Sequence, residues 1–195
     1  MPKIDSERFY LSAIEMHGDS ARGVNWISKK SQELRFDAIL TLLPKDLSQS
    51  TLVDAGCGFG DFYLYLEKKK RLPKRYIGID SLSDMCAIAS QKTGCEILDI
   101  DICKEEIPVA DYYVCSGALN VLTPFESVQF IQNCYTSSKV AFIFNALYGE
   151  KESETYNYLS QEKIEHIAKD LAVDRLSFKS DYMDGDVTVS FTHQE

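Results

Sequence analysis

Apolar positions recur along this chain in two rhythms. Five short β-type runs stand out between residues 51 and 147: Thr51-Leu-Val53, Tyr76-Ile-Gly-Ile79, Glu96 to Ile102, Ala110 to Ala118 and Lys139 to Leu147. Ile97 and Leu98 centre the third, and Tyr112, Tyr113 and Val114 enrich the fourth in β-favouring side chains. The fifth is nearly continuous in apolar residues, the pattern of a strand buried on both faces. Between these runs the spacing predicts helices over Asp61–Lys70, Ser83–Thr93 and Pro124 to about Tyr135. Gly94 is a suitable C-cap for the second. Alternation of strand and helix predicts an α/β fold: a doubly wound, seven-stranded, mostly parallel sheet with helices on both faces.

The ends of the chain depart from that alternation. Ile164, Ile167, Ala168 and Leu171 fall at i, i+3, i+4 and i+7, predicting an amphipathic helix. Two alternating runs follow, Leu176, Phe178 and Tyr182 in one and Val187, Val189 and Phe191 in the other. Asp184-Gly185 between them predicts a C-terminal antiparallel hairpin. At the other end, Phe36, Ile39, Leu40 and Leu43 predict a helix from Ser31 to Leu43. Residues 1–50 then form a helical leader to a core of residues 51–195, within one domain of 195 residues.

Composition narrows the setting. A net charge of -9 argues against a duplex nucleic-acid partner, whose affinity rests on phosphate neutralisation. The one basic cluster, Lys68-Lys-Lys-Arg71 with Lys74 and Arg75, lies where cations complement a helix C-terminus. No apolar run approaches a membrane span, and Met1 to Arg8 lacks the apolar core of a signal peptide. Six cysteines without a C-x-x-C pair read as reduced buried residues of a cytoplasmic protein, and three scattered histidines disfavour a metal site.

The chemistry is concentrated in Asp54-Ala-Gly-Cys-Gly-Phe-Gly60, directly after the first strand. Alternating glycines reach positive φ and let main-chain atoms approach a ligand closely. A dinucleotide turn, G-x-G-x-x-G, would need glycine at position 61, where Asp61 stands. Asp80 follows the second strand, placed to accept hydrogen bonds from both hydroxyls of a ribose. The alternative for Asp80 is a solvated turn residue capping the next helix.

With this triple-glycine pattern behind an acidic residue, the chain resembles the class I S-adenosylmethionine-dependent methyltransferases over residues 51 to about 147. The resemblance implies S-adenosylmethionine as cofactor. Asp54, Ala55, Gly56, Gly58 and Gly60 would belong to the loop beside its methionine moiety. Asp80 would hold the ribose, with Ser81 and Met85 close to the adenosine. Asp101 and Ile102, from Leu98-Asp-Ile-Asp-Ile102, would meet the adenine, and Ser116 and Gly117 would lie beside the sulfonium. The segment Met16 to Trp26 would lid the cofactor. Trp26 is a candidate for stacking and Arg35 for pairing with the cofactor carboxylate, against simple packing and a surface ion pair. Gly23-Val-Asn-Trp26, Gln32, Arg35-Phe36 and Ser116-Gly-Ala-Leu-Asn120 further resemble a little-characterised bacterial subgroup.

The acceptor is less legible. The Asn-Pro-Pro-Tyr signature of enzymes acting on planar nitrogens is absent, as is the Pro-Cys nucleophile of cytosine-5 enzymes, and no histidine adjoins a motif. Asn120 is the polar candidate at the mouth of the fourth strand, against a turn asparagine bonding its own backbone. Tyr148, Tyr156 and Tyr158 are candidates to line an acceptor pocket, and His17 could reach it only from a closed leader. The reading is a methyltransferase acting on a small molecule, or less readily a protein. A non-catalytic cofactor-binding protein and an NAD-dependent oxidoreductase remain as alternatives.

Overall fold

The computed structural model describes residues 28–194. The leader segment Met16–Trp26, with His17 and Trp26, therefore lies outside the described residues. The chain opens with α1 (Lys29–Leu42), then β1 (Thr51–Ala55), α2 (Asp61–Lys68), β2 (Arg75–Asp80), α3 (Ser83–Thr93) and β3 (Glu96–Asp99). It continues through β4 (Ala110–Ser116), α4 (Pro124–Ser137), β5 (Ser138–Tyr148), β6 (Tyr158–Leu159) and α5 (Gln161–Asp170). The last elements are β7 (Arg175–Lys179) and β8 (Asp186–Thr192).

Helix starts follow the local chemistry. The Thr123 hydroxyl accepts from the Glu126 N–H at 3.2 Å while the Glu126 carboxylate accepts from the Thr123 N–H at 3.0 Å, with Pro124 in the first turn of α4. This reciprocal cap satisfies two N–H groups that the helix itself leaves unpaired. Ser28 and Ser31 form the equivalent pair at the start of α1. At the other end of α3, Gly94 takes φ 67, the left-handed stop expected from the sequence.

The sheet runs β3-β2-β1-β4-β5-β8-β7, parallel through β5 and antiparallel for β8 and β7. Seven strands were expected; the eighth, β6, is two residues long and pairs with β5 at Leu147 and Tyr148, beyond the last β4 pairing at Asn145. The third strand is shorter than its apolar run, ending at Asp99. The hairpin is also wider than the Asp184-Gly185 turn implied, because β7 stops at Lys179 and Tyr182 sits in the loop.

Each sheet face carries its own core. Leu52, Val114 and Ile143 pack with Phe36 and Ile39 of α1 and Phe62 and Leu66 of α2. Val53, Phe142, Phe144 and Val189 pack with Ile131 of α4 and Ile164 of α5 on the other. The basic cluster begins at the C-terminal end of α2, as expected, and also reaches α1. Arg71 donates to the carbonyls of Leu40 and Leu43 at the end of α1, and Lys68 and Lys69 pair with Glu33 and Asp37. These cations fasten α1 to α2. Among the described residues no helix is long and apolar enough to cross a membrane.

Candidate functional site

Between β1 and β4 the chain reverses its direction of travel across the sheet, and a crevice opens where their C-terminal ends part. A cavity of about 680 Å³ fills it, walled by the glycine loop, the tip of β2, the turn after β3 and the turn after β4. Gly56, Gly58 and Gly60 have φ of 75, 54 and 79, so the loop needs three left-handed residues. Their roles differ. A Cβ on Gly56 would lie 2.5 Å from the Ala118 Cβ, and one on Gly60 2.5 Å from the Thr93 Cγ2. Close packing against the turn after β4 and against α3, as well as backbone conformation, demands glycine there.

Gly60 and Ala55 are not among the cavity-lining residues. Ala55 is fully buried in the core on the far face of β1, since successive strand residues point to opposite faces. Asp54, Gly56, Gly58, Asp80, Ser81 and Met85 do line the cavity, as do Asp101, Ile102, Ser116 and Gly117.

Asp80 organises the crevice. Its Oδ2 accepts from the Gly58 N–H at 2.9 Å and its Oδ1 from the Leu82 N–H at 3.1 Å, tying β2 to the glycine loop. A carboxylate has about four acceptor sites, so each oxygen retains one for a ligand hydroxyl. Burial pushes its pKa up, while these N–H groups work the other way. Asp101 sits in the turn after β3. Its Oδ1 accepts from the Cys103 N–H at 3.0 Å and its Oδ2 from Lys104 at 2.6 Å.

Asp54 is 3% exposed and accepts from the Tyr76 hydroxyl at 2.6 Å. Burial, helped by the charges of Asp80 and Asp61 and opposed by the Tyr76 hydrogen bond, pushes its pKa up to about 7. The folded protein therefore holds this proton more tightly than the unfolded chain. The stability it brings is present at low pH and is lost as pH rises from about 4 through about 7. Asp54→Asn, which can still accept from Tyr76, should be more stable than the parent at pH 8. That advantage should shrink by on the order of 2–3 kcal/mol on going to pH 5, at about 1.4 kcal/mol for each pH unit. Chemical denaturation of both proteins at the two pH values measures it; a difference independent of pH would show that Asp54 is ionised throughout.

Arg35 and Asn120 have partners the sequence does not announce. Arg35 lines the cavity but is 8% exposed, and its Nε donates to Asp186 Oδ2 at 2.6 Å. Its ion pair is buried rather than on the surface, and it already holds a carboxylate of the protein. Asn120 Oδ1 accepts from the Leu147 N–H at 3.0 Å and its carbonyl from the Asn157 N–H at 2.8 Å. It bridges the stretch of β5 between its pairings with β4 and β6, so its side chain supports the mouth of the site instead of closing its own turn. Gln32 Nε2 donates to Asp61 at 2.9 Å, placing the start of α1 over the first turn of α2. Phe59, Phe62 and Leu122 also line the cavity without any signal from spacing, because apolar residues beside glycines read simply as core.

Residues 52–140 match the family model described as a methyltransferase domain. Among solved structures, the chain is similar to magnesium protoporphyrin IX methyltransferase from Synechocystis PCC 6803 with bound SAH, at 15% identity and a TM-score of 0.68, covering 84% of each chain. A putative methyltransferase in complex with the Haloferax volcanii Trm112 methyltransferase activator aligns at 15% identity and a TM-score of 0.72, over 95% of this chain and 97% of that one. The pyocyanin biosynthetic protein PhzM aligns at 14% identity and a TM-score of 0.69, over 95% of this chain and 62% of its own. No curated protein sequence matches the chain. The chain has the α/β fold of the class I, S-adenosylmethionine-dependent methyltransferases.

Proposed function

We propose that this protein transfers a methyl group from S-adenosylmethionine to a small molecule, with the cofactor lying along the cavity between β1 and β4. The observation that carries the reading is the junction of Asp80 with the glycine loop at the Gly58 N–H. It leaves acceptor sites on a half-buried carboxylate that lines the crevice. In this reading Asp80 holds the ribose, Asp101 and Ile102 meet the adenine, and Ser116 and Gly117 flank the sulfur. Charge supports it as well. Asp54, Asp61 and Asp80 all line the cavity, which suits a ligand bearing a sulfonium and an ammonium. Asp61 occupies the first turn of α2, where a dinucleotide would bring its pyrophosphate, so its carboxylate would repel that ligand. The antiparallel β8 and β7 also separate this sheet from a simple NAD-binding domain.

Bound there, S-adenosylmethionine supplies a methyl group activated by a positively charged sulfur. The protein's part is to hold the acceptor in line with that sulfur and to exclude water, which supplies much of the acceleration for a good nucleophile. A second cavity of about 730 Å³ meets the first along Val121, Leu122 and Tyr156 and is also lined by Asn157 and Tyr158. Its size and position suit a small-molecule acceptor reaching the sulfur across Tyr156. Tyr148 is not among the residues of either cavity; its hydroxyl turns to Gln161 at 3.3 Å.

S-Adenosylhomocysteine should raise the melting temperature by binding the folded state preferentially, about 2.7 kcal/mol of stabilisation at a hundredfold excess over its dissociation constant. NAD at the same concentration should leave it unchanged. Equal shifts, or a shift with NAD alone, would overturn the cofactor assignment.

A further inference from the structure

A row of polar side chains crosses three neighbouring strands just behind the cavity wall. Ser116 on β4 is the register partner of Asn145 on β5, which is in turn the partner of Thr188 on β8. Asn145 and Thr188 are fully buried, flanked along their strands by the core residues Phe144, Ala146, Val187 and Val189. The row continues through Tyr182 and Asp186 to Arg35 on α1. Its two ends, Ser116 and Arg35, both line the cavity.

Every hydrogen bond in the row has its direction dictated from the Asp186 end. The carboxylate pairs with Arg35 and only accepts, so the Tyr182 hydroxyl donates to its Oδ1 at 2.8 Å. With its proton committed, the Tyr182 oxygen accepts from the Thr188 hydroxyl at 3.0 Å. The Thr188 oxygen then accepts from Asn145 Nδ2 at 2.6 Å, which turns Asn145 Oδ1 toward Ser116. Ser116 accordingly donates its proton to Asn145 Oδ1 at 2.8 Å. A hydroxyl has one proton and two lone pairs. The one proton points into the protein, and only lone pairs remain for the cavity.

We propose that the row Arg35–Asp186–Tyr182–Thr188–Asn145 is a positioning device that locks Ser116 as a hydrogen-bond acceptor toward the sulfur of the cofactor. This rests on the cofactor placement given above. A fixed lone pair favours the positively charged S-adenosylmethionine, whose S-methyl hydrogens are polarised, over the neutral thioether product. The row would thus hold the methyl group and weaken retention of S-adenosylhomocysteine after transfer. Breaking the row at a distance frees the Asn145 amide and the Ser116 hydroxyl to turn, and the preference falls.

Isothermal titration with S-adenosylmethionine and with S-adenosylhomocysteine yields the ratio of their dissociation constants, and the second ligand serves as an internal control for the integrity of the cavity. Ser116→Ala, Thr188→Val and Tyr182→Phe should each lower the preference for the charged ligand about two- to fivefold, the equivalent of a weak C–H···O contact. In Thr188→Val and Tyr182→Phe affinity for S-adenosylhomocysteine should change little, and Thr188→Ser should retain the parent ratio because it keeps the hydroxyl. An unchanged ratio in the first three variants overturns the proposal, and so does equal weakening of both ligands, which marks the row as a support of the fold. If neither ligand binds the parent protein, the cofactor placement itself fails.

Discussion

Asp80→Ala should bind S-adenosylhomocysteine at least about tenfold more weakly for each ribose hydrogen bond lost, and more than about a hundredfold if both are lost. Charge-assisted hydrogen bonds contribute roughly 1.5–3 kcal/mol each, and 1.4 kcal/mol is a factor of ten in affinity. The structure adds a second loss. The Asp80 carboxylate also receives the N–H groups of Gly58 and Leu82, at 2.9 and 3.1 Å. Without it the glycine loop is released from the tip of β2, so part of the lost affinity comes from a cradle no longer preorganised. Asp80→Asn separates the two losses, because one amide oxygen can still accept from a backbone N–H while the charge is gone. Asp101→Ala should cost less than Asp80→Ala, since the adenine amino group is a neutral donor that water can also satisfy. Titration of the three variants with S-adenosylhomocysteine gives the ranking, and parent-like affinity in Asp80→Ala would show that the ribose lies elsewhere.

The largest effect on stability is expected from Arg35→Ala. Its guanidinium and the Asp186 carboxylate are 9% and 1% exposed, so removing the cation leaves a buried charge with Tyr182 as its remaining side-chain donor. Breaking a buried pair from one side costs about 3–5 kcal/mol. At about 2–4 °C for each kcal/mol in a protein of this size, the melting temperature should fall by roughly 6–20 °C. Replacing both partners by apolar residues of similar volume, Arg35→Met with Asp186→Leu, should recover most of the loss, because no unpaired charge is then left in the interior. A fall of only a degree or two in Arg35→Ala would mean that water reaches Asp186 and that the pair adds little.

What the sequence discloses about this site depends on how far apart the partners lie along the chain. The glycine loop, Asp61 and Asp80 are legible because strand, turn and helix are adjacent and each residue type answers a local demand. Asp80 also lies where the next strand must end. The hairpin and the mostly parallel sheet follow from alternation and turn residues in the same way. Arg35 is legible only as a cation on a helix, since its partner Asp186 stands 151 residues away. Asn145 and Thr188 look like polar interruptions of apolar strands until register places them side by side. Tyr182 fits the alternation of a strand, yet the loop turns it inward to Asp186. Gly60 fits the glycine pattern by its position, but its left-handed backbone and its packing against Thr93 are what require a glycine there. Asn120 seals a gap in a ladder whose other members, β5 and β6, no local pattern connects to it.

The decisive contact for the proposed function is that of the Asp80 carboxylate with the ribose of the cofactor. A crystal structure of the protein with S-adenosylhomocysteine measures it directly. Both ribose hydroxyls should lie within hydrogen-bonding distance of Asp80, about 2.5–3.0 Å for an O–H donor, with the sulfur beside Ser116 at the end of β4. A ligand whose ribose lies away from Asp80, or whose sulfur points away from the turn after β4, would contradict the account.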